Sequence, residues 1–210
     1  LSGLAVRTGV IAASDTPGRA VDIVTLDDIA VVANETDGVT VFNISEGLNP
    51  SRLAQVNTPG TARSVGFAGS LVAVADGSAG LAIIDISTPS AAVIRHQLGL
   101  ASTAQAVAVA GGIAYVGLAN GDLVAVEMVT GTVLERLRLG NQTIQDLTVA
   151  GDTLYVLATG RLYLLPLDGG ELRVEASIAA DGTGGSAGRR ARVFAGGGRA
   201  YCTFIQGFSV

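Results

Sequence analysis

The stretch Asn34-Glu35-Thr36-Asp37-Gly38 puts three oxygen-bearing side chains into one short turn. Hard cations such as Ca2+ take several oxygen ligands. Asn34, Glu35 and Asp37 are therefore the metal candidates of this chain, with Ca2+ as the cofactor they would hold. The stretch lacks the full D-x-[DN]-x-[DN]-G loop and its distal Glu, and a solvated hairpin turn is the competing reading. Arg189, Arg190 and Arg192 form the single basic cluster. Guanidinium groups so placed could hold a carboxylate or phosphate, and these three are the anion-binding candidates. Residues 184–188, GGSAG, fit G-x-S-x-G around Ser186, and residues 182–187 fit G-x-G-x-x-A. The first motif requires a strand-turn-helix elbow and a later His. The second requires a helix N-terminus facing phosphate. The one His, His96, lies upstream, and a strand is expected at 192–195, so both matches read as loop. Cys202 stands alone, which rules out an internal disulfide. These residues assign no catalytic or cofactor-binding set, and the reading leans away from an enzyme.

Other acids and amides are notable because they recur. A shift of 42 residues takes Asn43-Ile44-Ser45 onto Asp85-Ile86-Ser87, and Val32-Ala33-Asn34 onto Val74-Ala75-Asp76. Repetition could build a ring of ligands, but short acids and amides at strand ends also bond nearby backbone N–H groups. The second reading fits, since each copy of a unit needs the same turn.

The elements behind these positions are the units of an internal repeat. Pro17-Gly18 maps onto Pro59-Gly60, Val65 onto Val107, and VAGGIAYV (109–116) onto VAGDTLYV (149–156), with a last partial copy at FAGGGRAYC (194–202). A period of this size marks propellers, solenoids or arrays. Each unit reads as four short strands; in the second they fall near 63–68, 71–76, 80–86 and 92–98. AGS (68–70) and AGG (110–112) are tight hairpin connections, as are the pairs Asp37-Gly38 and Asn120-Gly121. No window sustains a helical period. Four antiparallel strands in about 42 residues describe a propeller blade. The small first strand suits a channel wall, the doubly apolar second strand suits a place between blades, and the charged fourth strand suits an outer edge.

Residues 60–90, GTARSVGFAGSLVAVADGSAGLAIIDISTPS, resemble the LVIVD-type repeat of bacterial β-propellers. The likeness lies in the apolar first strand, the Ala-Val-Ala-Asp second strand, and Gly-Leu-x-x-x-Asp-Ile-Ser followed by Pro. The first two full units match best. The third, GDLVAVEMVTGTVLERL (121–137), is closer to YVTN or quinoprotein-like blades, and the fourth carries Pro166 near the place of the signature acid. The resemblance implies an exported or surface-associated protein without an assigned reaction.

The expected fold is an all-β propeller of five four-stranded blade repeats in a single domain, 1–210. The repeats cover approximately 18–59, 60–101, 102–141 and 142–190, with a fifth split between 191–210 and 1–17. This is either a closed five-bladed ring or a segment of a larger propeller. A net charge of −5 argues against nucleic acid, and no apolar run has the length of a membrane helix. All 13 basic residues are Arg, a composition of GC-rich bacterial genomes. A chain beginning at Leu1 reads as a processed product or fragment. The leading functional expectation is a non-catalytic scaffold or protein–protein interaction module, extracellular, at the cell surface or periplasmic, with other protein domains or subunits as partners. The alternative is a ligand-binding or enzymatic propeller that uses its channel mouth, with a bound cation.

Overall fold

The computed structural model describes residues 13–46, 49–169, 171–182, 191–204 and 207–209. The first sheet holds β1 (Asp22–Leu26), β2 (Ile29–Ala33), β3 (Val39–Asn43) and β4 (Ser51–Val56). The second holds β5 (Ser64–Ala68), β6 (Leu71–Ala75), β7 (Leu81–Asp85) and β8 (Val93–Leu98). The third holds β9 (Ala104–Ala110), β10 (Ile113–Leu118), β11 (Asp122–Glu127) and β12 (Thr132–Arg138). The fourth holds β13 (Ile144–Ala150), β14 (Thr153–Ala158), β15 (Gly160–Pro166) and β16 (Ala176–Ala180), and the last β17 (Arg192–Gly196), β18 (Arg199–Phe204) and β19 (Gly207–Ser209). Within each sheet the strands follow chain order and pair antiparallel. Each of the first four sheets is one blade repeat. A single 3-10 turn, Pro89–Ala91, is the only helix among the described residues.

The strand sequences dictate the stacking. β6, Leu-Val-Ala-Val-Ala, is buried along its whole length, because both of its faces meet neighbouring sheets. The outer β8 and β12 alternate exposed and half-buried residues, as one-sided strands do. The inner strands β1, β5, β9, β13 and β17 lie next to one another in succession. Apolar clusters fill each gap between sheets. Val31, Val39, Val72 and Ile84 lie between the first two; Leu81, Ile83, Val116 and Val126 between the next two. Leu123, Ile144, Leu154 and Leu165 follow, then Leu157, Leu162, Val193 and Cys202.

Two local devices repeat with the blades. The β3–β4, β7–β8 and β11–β12 ladders each shift register at one matching place, after Val41, Ile83 and Ala125. Such bulges sharpen the twist of the outer strand. Gly80 (φ +87°) closes the turn before β7, and a Cβ there would stand 2.1 Å from the Leu98 carbonyl oxygen. Only glycine allows the outer strand to pass that close.

Candidate functional site

The site is built from one repeat position on the inner strands. The blade period relates Asp22, Ser64, Ala106, Asp146 and Arg192, whose pairing partners Ala33, Ala75, Gly117, Leu157 and Thr203 are likewise one period apart. In three blades this side chain grips the next inner strand. Val65 N–H donates to Asp22 Oδ2 at 3.1 Å. Val107 N–H donates to Ser64 Oγ at 3.3 Å. Val193 N–H donates to Asp146 Oδ2 at 2.8 Å. Ala106 has no atom to do the same. Arg192 occupies the position in the last sheet, and its guanidinium reaches Asp22 of the first sheet at 2.9 Å and Asp146 at 3.1 Å. Burial opposes the Arg192 charge, but the Asp146 and Asp22 carboxylates outweigh it and hold the guanidinium more firmly protonated.

Where these inner strands begin, a cavity of about 560 Å³ opens. Residues of all five sheets or the segments leading into them line it. Arg63, Gln105 and Gln145 come from equivalent positions of three successive blades, and Arg19, Glu35 and Arg192 complete its charged wall. Arg19 pairs with Glu35 at 3.1 Å. Gln145 is committed to the frame, donating to Thr159 Oγ1 and accepting from Ala191 N–H. This cavity stands where a propeller of such blades has its channel mouth.

The loops around that mouth are tied down. Glu35 bridges Ala62, and Gly77 bridges Ala104, so in the first two blades the turn between second and third strands holds the start of the following blade. Asp76 does more than cap a turn. It is fully buried, accepting from Thr58 Oγ1 at 2.7 Å and from Gly60 N–H at 3.0 Å, and so fixes the connection between the first two sheets. Its burial pushes the carboxyl above the usual range, against these two hydrogen bonds.

The remaining sequence candidates are placed as follows. Asn34 is buried and donates to Thr40 Oγ1 at 2.7 Å. Glu35 turns to Arg19, and the Asp37 carboxylate lies against Gly18. The structure thus sends the three metal candidates in different directions. Among the described residues no group of three or more His, Cys, Asp or Glu side chains could hold a metal ion. Asn43 and Asp85 accept from Ser45 and Ser87 N–H, each at 2.8 Å. His96, on β8, contacts the Val129 carbonyl at 3.0 Å through Nε2. Cys202 is buried, and burial, aided by Asp146, raises its thiol pKa. Of the basic cluster, Arg192 reaches the channel. Arg189 and Arg190, with Ser186 and the two glycine motifs around it, lie outside the described residues.

Sequence reading missed Arg63, Gln105 and the Asp22–Arg192 contact. The repeat shift does superpose their positions, but the residue types differ from blade to blade and hide the correspondence. It also missed the bare face of the first sheet. Ile23 is 61% exposed, whereas Val65, Val107, Leu147 and Val193 at the same repeat position are at most 7% exposed. Phe194, on β17, is 54% exposed. A second cavity of about 540 Å³ runs along the first sheet past Ile23, Val32, Phe42 and Arg192.

The LVIVD repeat matches residues 59–96 and 101–127, which are the second and third sheets. The match takes in the third unit, where the sequence leans towards YVTN-type blades, and does not reach the first. Asp122-Leu123 and Glu127 keep the spacing of Gly80-Leu81 and Asp85 well enough to carry it. The computationally designed Ika4 protein superposes with a TM-score of 0.62 at 15% identity, over 80% of this chain and 98% of its own. The WD40 β-propeller domain of Doa1 gives 0.68 at 11% identity, over 90% and 63%. BamB from Moraxella catarrhalis gives 0.61 at 18%, over 77% of this chain and 51% of its own, so the chain spans about half the length of that protein. At these identities the likeness is one of fold. No curated protein matches the chain.

Proposed function

We propose that this chain, a β-propeller carrying LVIVD repeats, is a non-catalytic interaction scaffold of an exported or cell-surface bacterial protein. Its partners are other protein domains or subunits. The observation that carries the reading is the preorganised loop end. Asp76 ties the connection between the first two sheets to the second blade, and the Glu35–Ala62 and Gly77–Ala104 bridges tie the starts of the second and third blades to a turn of the blade before. Loops fixed before binding lose little conformational entropy when a partner docks, and loops on rigid scaffolds commonly carry recognition. The acids, meanwhile, serve the frame: Asp22 and Asp146 grip backbone, Asp85 caps a strand end, and Asp122 pairs with Arg138 at 2.7 Å. As to architecture, we propose a five-bladed ring whose last blade combines 191–210 with residues 1–17. The Arg192–Asp22 contact supports this, as does the course of Ala13, Ser14 and Thr16 along the second cavity.

A photoreactive residue at Ala101 or Gln142, both exposed at the loop end, should give one discrete adduct with the same protein in producing cells. The same residue at Leu134, exposed on the outer β12, should not. No adduct from the loops, or equal adducts from Leu134, would defeat the scaffold reading. Recovery of the protein in the cytosol would defeat the assigned location.

A further inference from the structure

A further cavity lies at the other end of the blades, between the third and fourth sheets, where β9 and β13 finish. It measures about 440 Å³, within the roughly 300–1,000 Å³ of small-molecule sites. Ile113, Leu167 and Leu172 give it apolar walls, and Tyr115, Glu135 and Asp152 bring oxygen atoms to it. Among the described residues no basic side chain lines it. One wall comes from the connection between β15 and β16, residues 167–175, which is longer than the matching connections 44–50, 86–92 and 128–131 of the first three blades. The Leu172 N–H donates to Glu135 Oε2 at 2.8 Å and pins that connection to the third sheet. Tyr115 is the unexplained group. It is 6% exposed, and burial and the Glu135 carboxylate push its pKa up with no hydrogen bond to oppose them. Its hydroxyl is not among the side-chain atoms sealed away without a partner, so it opens into the cavity that Tyr115 lines. The same strand position holds Val31 and Ala73 in the first two blades, so the fold does not require a hydroxyl there. A buried hydroxyl without a partner is unfavourable, and a ligand can supply the partner.

We propose that this cavity binds a small primary ammonium ion carrying a short aliphatic chain. The three N–H donors of an ammonium group go to the Glu135 carboxylate, the Asp152 carboxylate and the Tyr115 hydroxyl oxygen. Hydrogen bonds between ionised partners are the strong ones, and Ile113, Leu167 and Leu172 take the aliphatic part. The proposal stands apart from the scaffold reading. That reading rests on loops where the inner strands begin, whereas this cavity lies where they end, so each can fail alone. A lysine side chain of a partner carries the same ammonium chemistry, but the scaffold's partner docks at the opposite end, and the ligand here is a free molecule.

Butylammonium, butyrate and butan-1-ol share one carbon chain, and calorimetric titration of each into the full chain at low salt tests the proposal. Butylammonium should bind saturably at one site, with the other two at least about tenfold weaker, a difference of about 1.4 kcal/mol. Glu135→Gln, which keeps an acceptor for the Leu172 N–H, should weaken butylammonium binding about tenfold. Tyr115→Phe and Asp152→Asn should weaken it severalfold, and Asp28→Asn, in the exposed turn between β1 and β2, should leave it unchanged. Circular dichroism checks the fold of each variant, and Tyr115→Phe keeps the test decisive if Glu135→Gln misfolds. Tyr115→Phe should also keep the urea midpoint of the wild type; a lowered midpoint would give the hydroxyl a role in the frame and overturn the proposal. Nα-acetyl-lysine amide separates the two sources of ammonium: binding no tighter than butylammonium supports a free ligand, and tighter binding overturns it in favour of a partner's lysine. The proposal is equally overturned by no saturable binding of butylammonium, by binding indifferent to both Glu135→Gln and Tyr115→Phe, or by butyrate or butan-1-ol binding as tightly.

Discussion

Replacing Asp76 by Ala isolates the hook between the first two sheets. The side chain is fully buried and accepts from Thr58 Oγ1, itself only 7% exposed, and from Gly60 N–H. Alanine leaves both donors unmade in a site closed to water, at about 1–3 kcal/mol each. Some of that is returned, because burying the carboxylate is itself unfavourable and raises its pKa. A net loss of about 2–4 kcal/mol is expected. Asp76→Asn keeps an acceptor for Thr58 and should lose less. Urea unfolding reads the difference as a lower midpoint at constant slope. The pH dependence has a definite sign. The folded carboxyl holds its proton to higher pH than the unfolded one, so the contribution of Asp76 is greatest below its unfolded pKa of 3.8 and declines as pH rises through the folded value. The advantage of wild type over Asp76→Asn should therefore shrink from acid towards neutral pH. A midpoint for Asp76→Ala indistinguishable from wild type would refute the hook, and an advantage that grows with pH would refute the burial argument.

Gly80→Ala should cost well over the roughly 1 kcal/mol of a left-handed Ala, because its Cβ would also collide with the Leu98 carbonyl. Gly69→Ala, with φ +56° and nothing within 4 Å of the added Cβ, should cost only that strain; chemical denaturation compares the two. Arg192→Ala leaves the Asp22 and Asp146 carboxylates buried without their shared cation. With the Arg192 side chain 34% exposed, the cost should fall near or below the roughly 3 kcal/mol floor for breaking a fully buried pair, and Arg173→Ala, whose exposed pair is with Asp168, should cost clearly less, because water screens that pair. Cys202, buried and with a raised thiol pKa, should resist a thiol reagent in the native state and react fully in denaturant; rapid native labelling would contradict its placement.

The blades were legible because the signal repeats. The strands expected at 63–68, 71–76, 80–86 and 92–98 are found at Ser64–Ala68, Leu71–Ala75, Leu81–Asp85 and Val93–Leu98, each bounded by the Gly, Asp or Pro that stops a strand. The turns at Gly69 and Gly111 were visible for the same reason. The channel was not. Arg19 and Arg192 are 173 residues apart, and only the packing of the sheets brings them to one cavity. Asp76 showed itself as a recurring acid, but its reach to Thr58 depends on how one sheet leads into the next. The register shifts after Val41, Ile83 and Ala125 left no mark at all, since a bulge adds no characteristic residue type here.

The inner-strand position shared by Asp22, Ser64, Asp146 and Arg192 has a consequence for how such a chain can grow. The grips of Asp22, Ser64 and Asp146 ask nothing of the following blade except a backbone N–H, which every residue but proline supplies. A duplicated blade spliced between existing ones would be accepted without any matching substitution, and an excised blade would leave its neighbours able to join. The Arg192 contact is different in kind, since it demands an acid at the corresponding place in both the first and the fourth sheets. Blades can therefore be gained or lost among the sheets gripped by Asp22 and Ser64, while the sheets that carry Asp22, Asp146 and Arg192 are bound to change together.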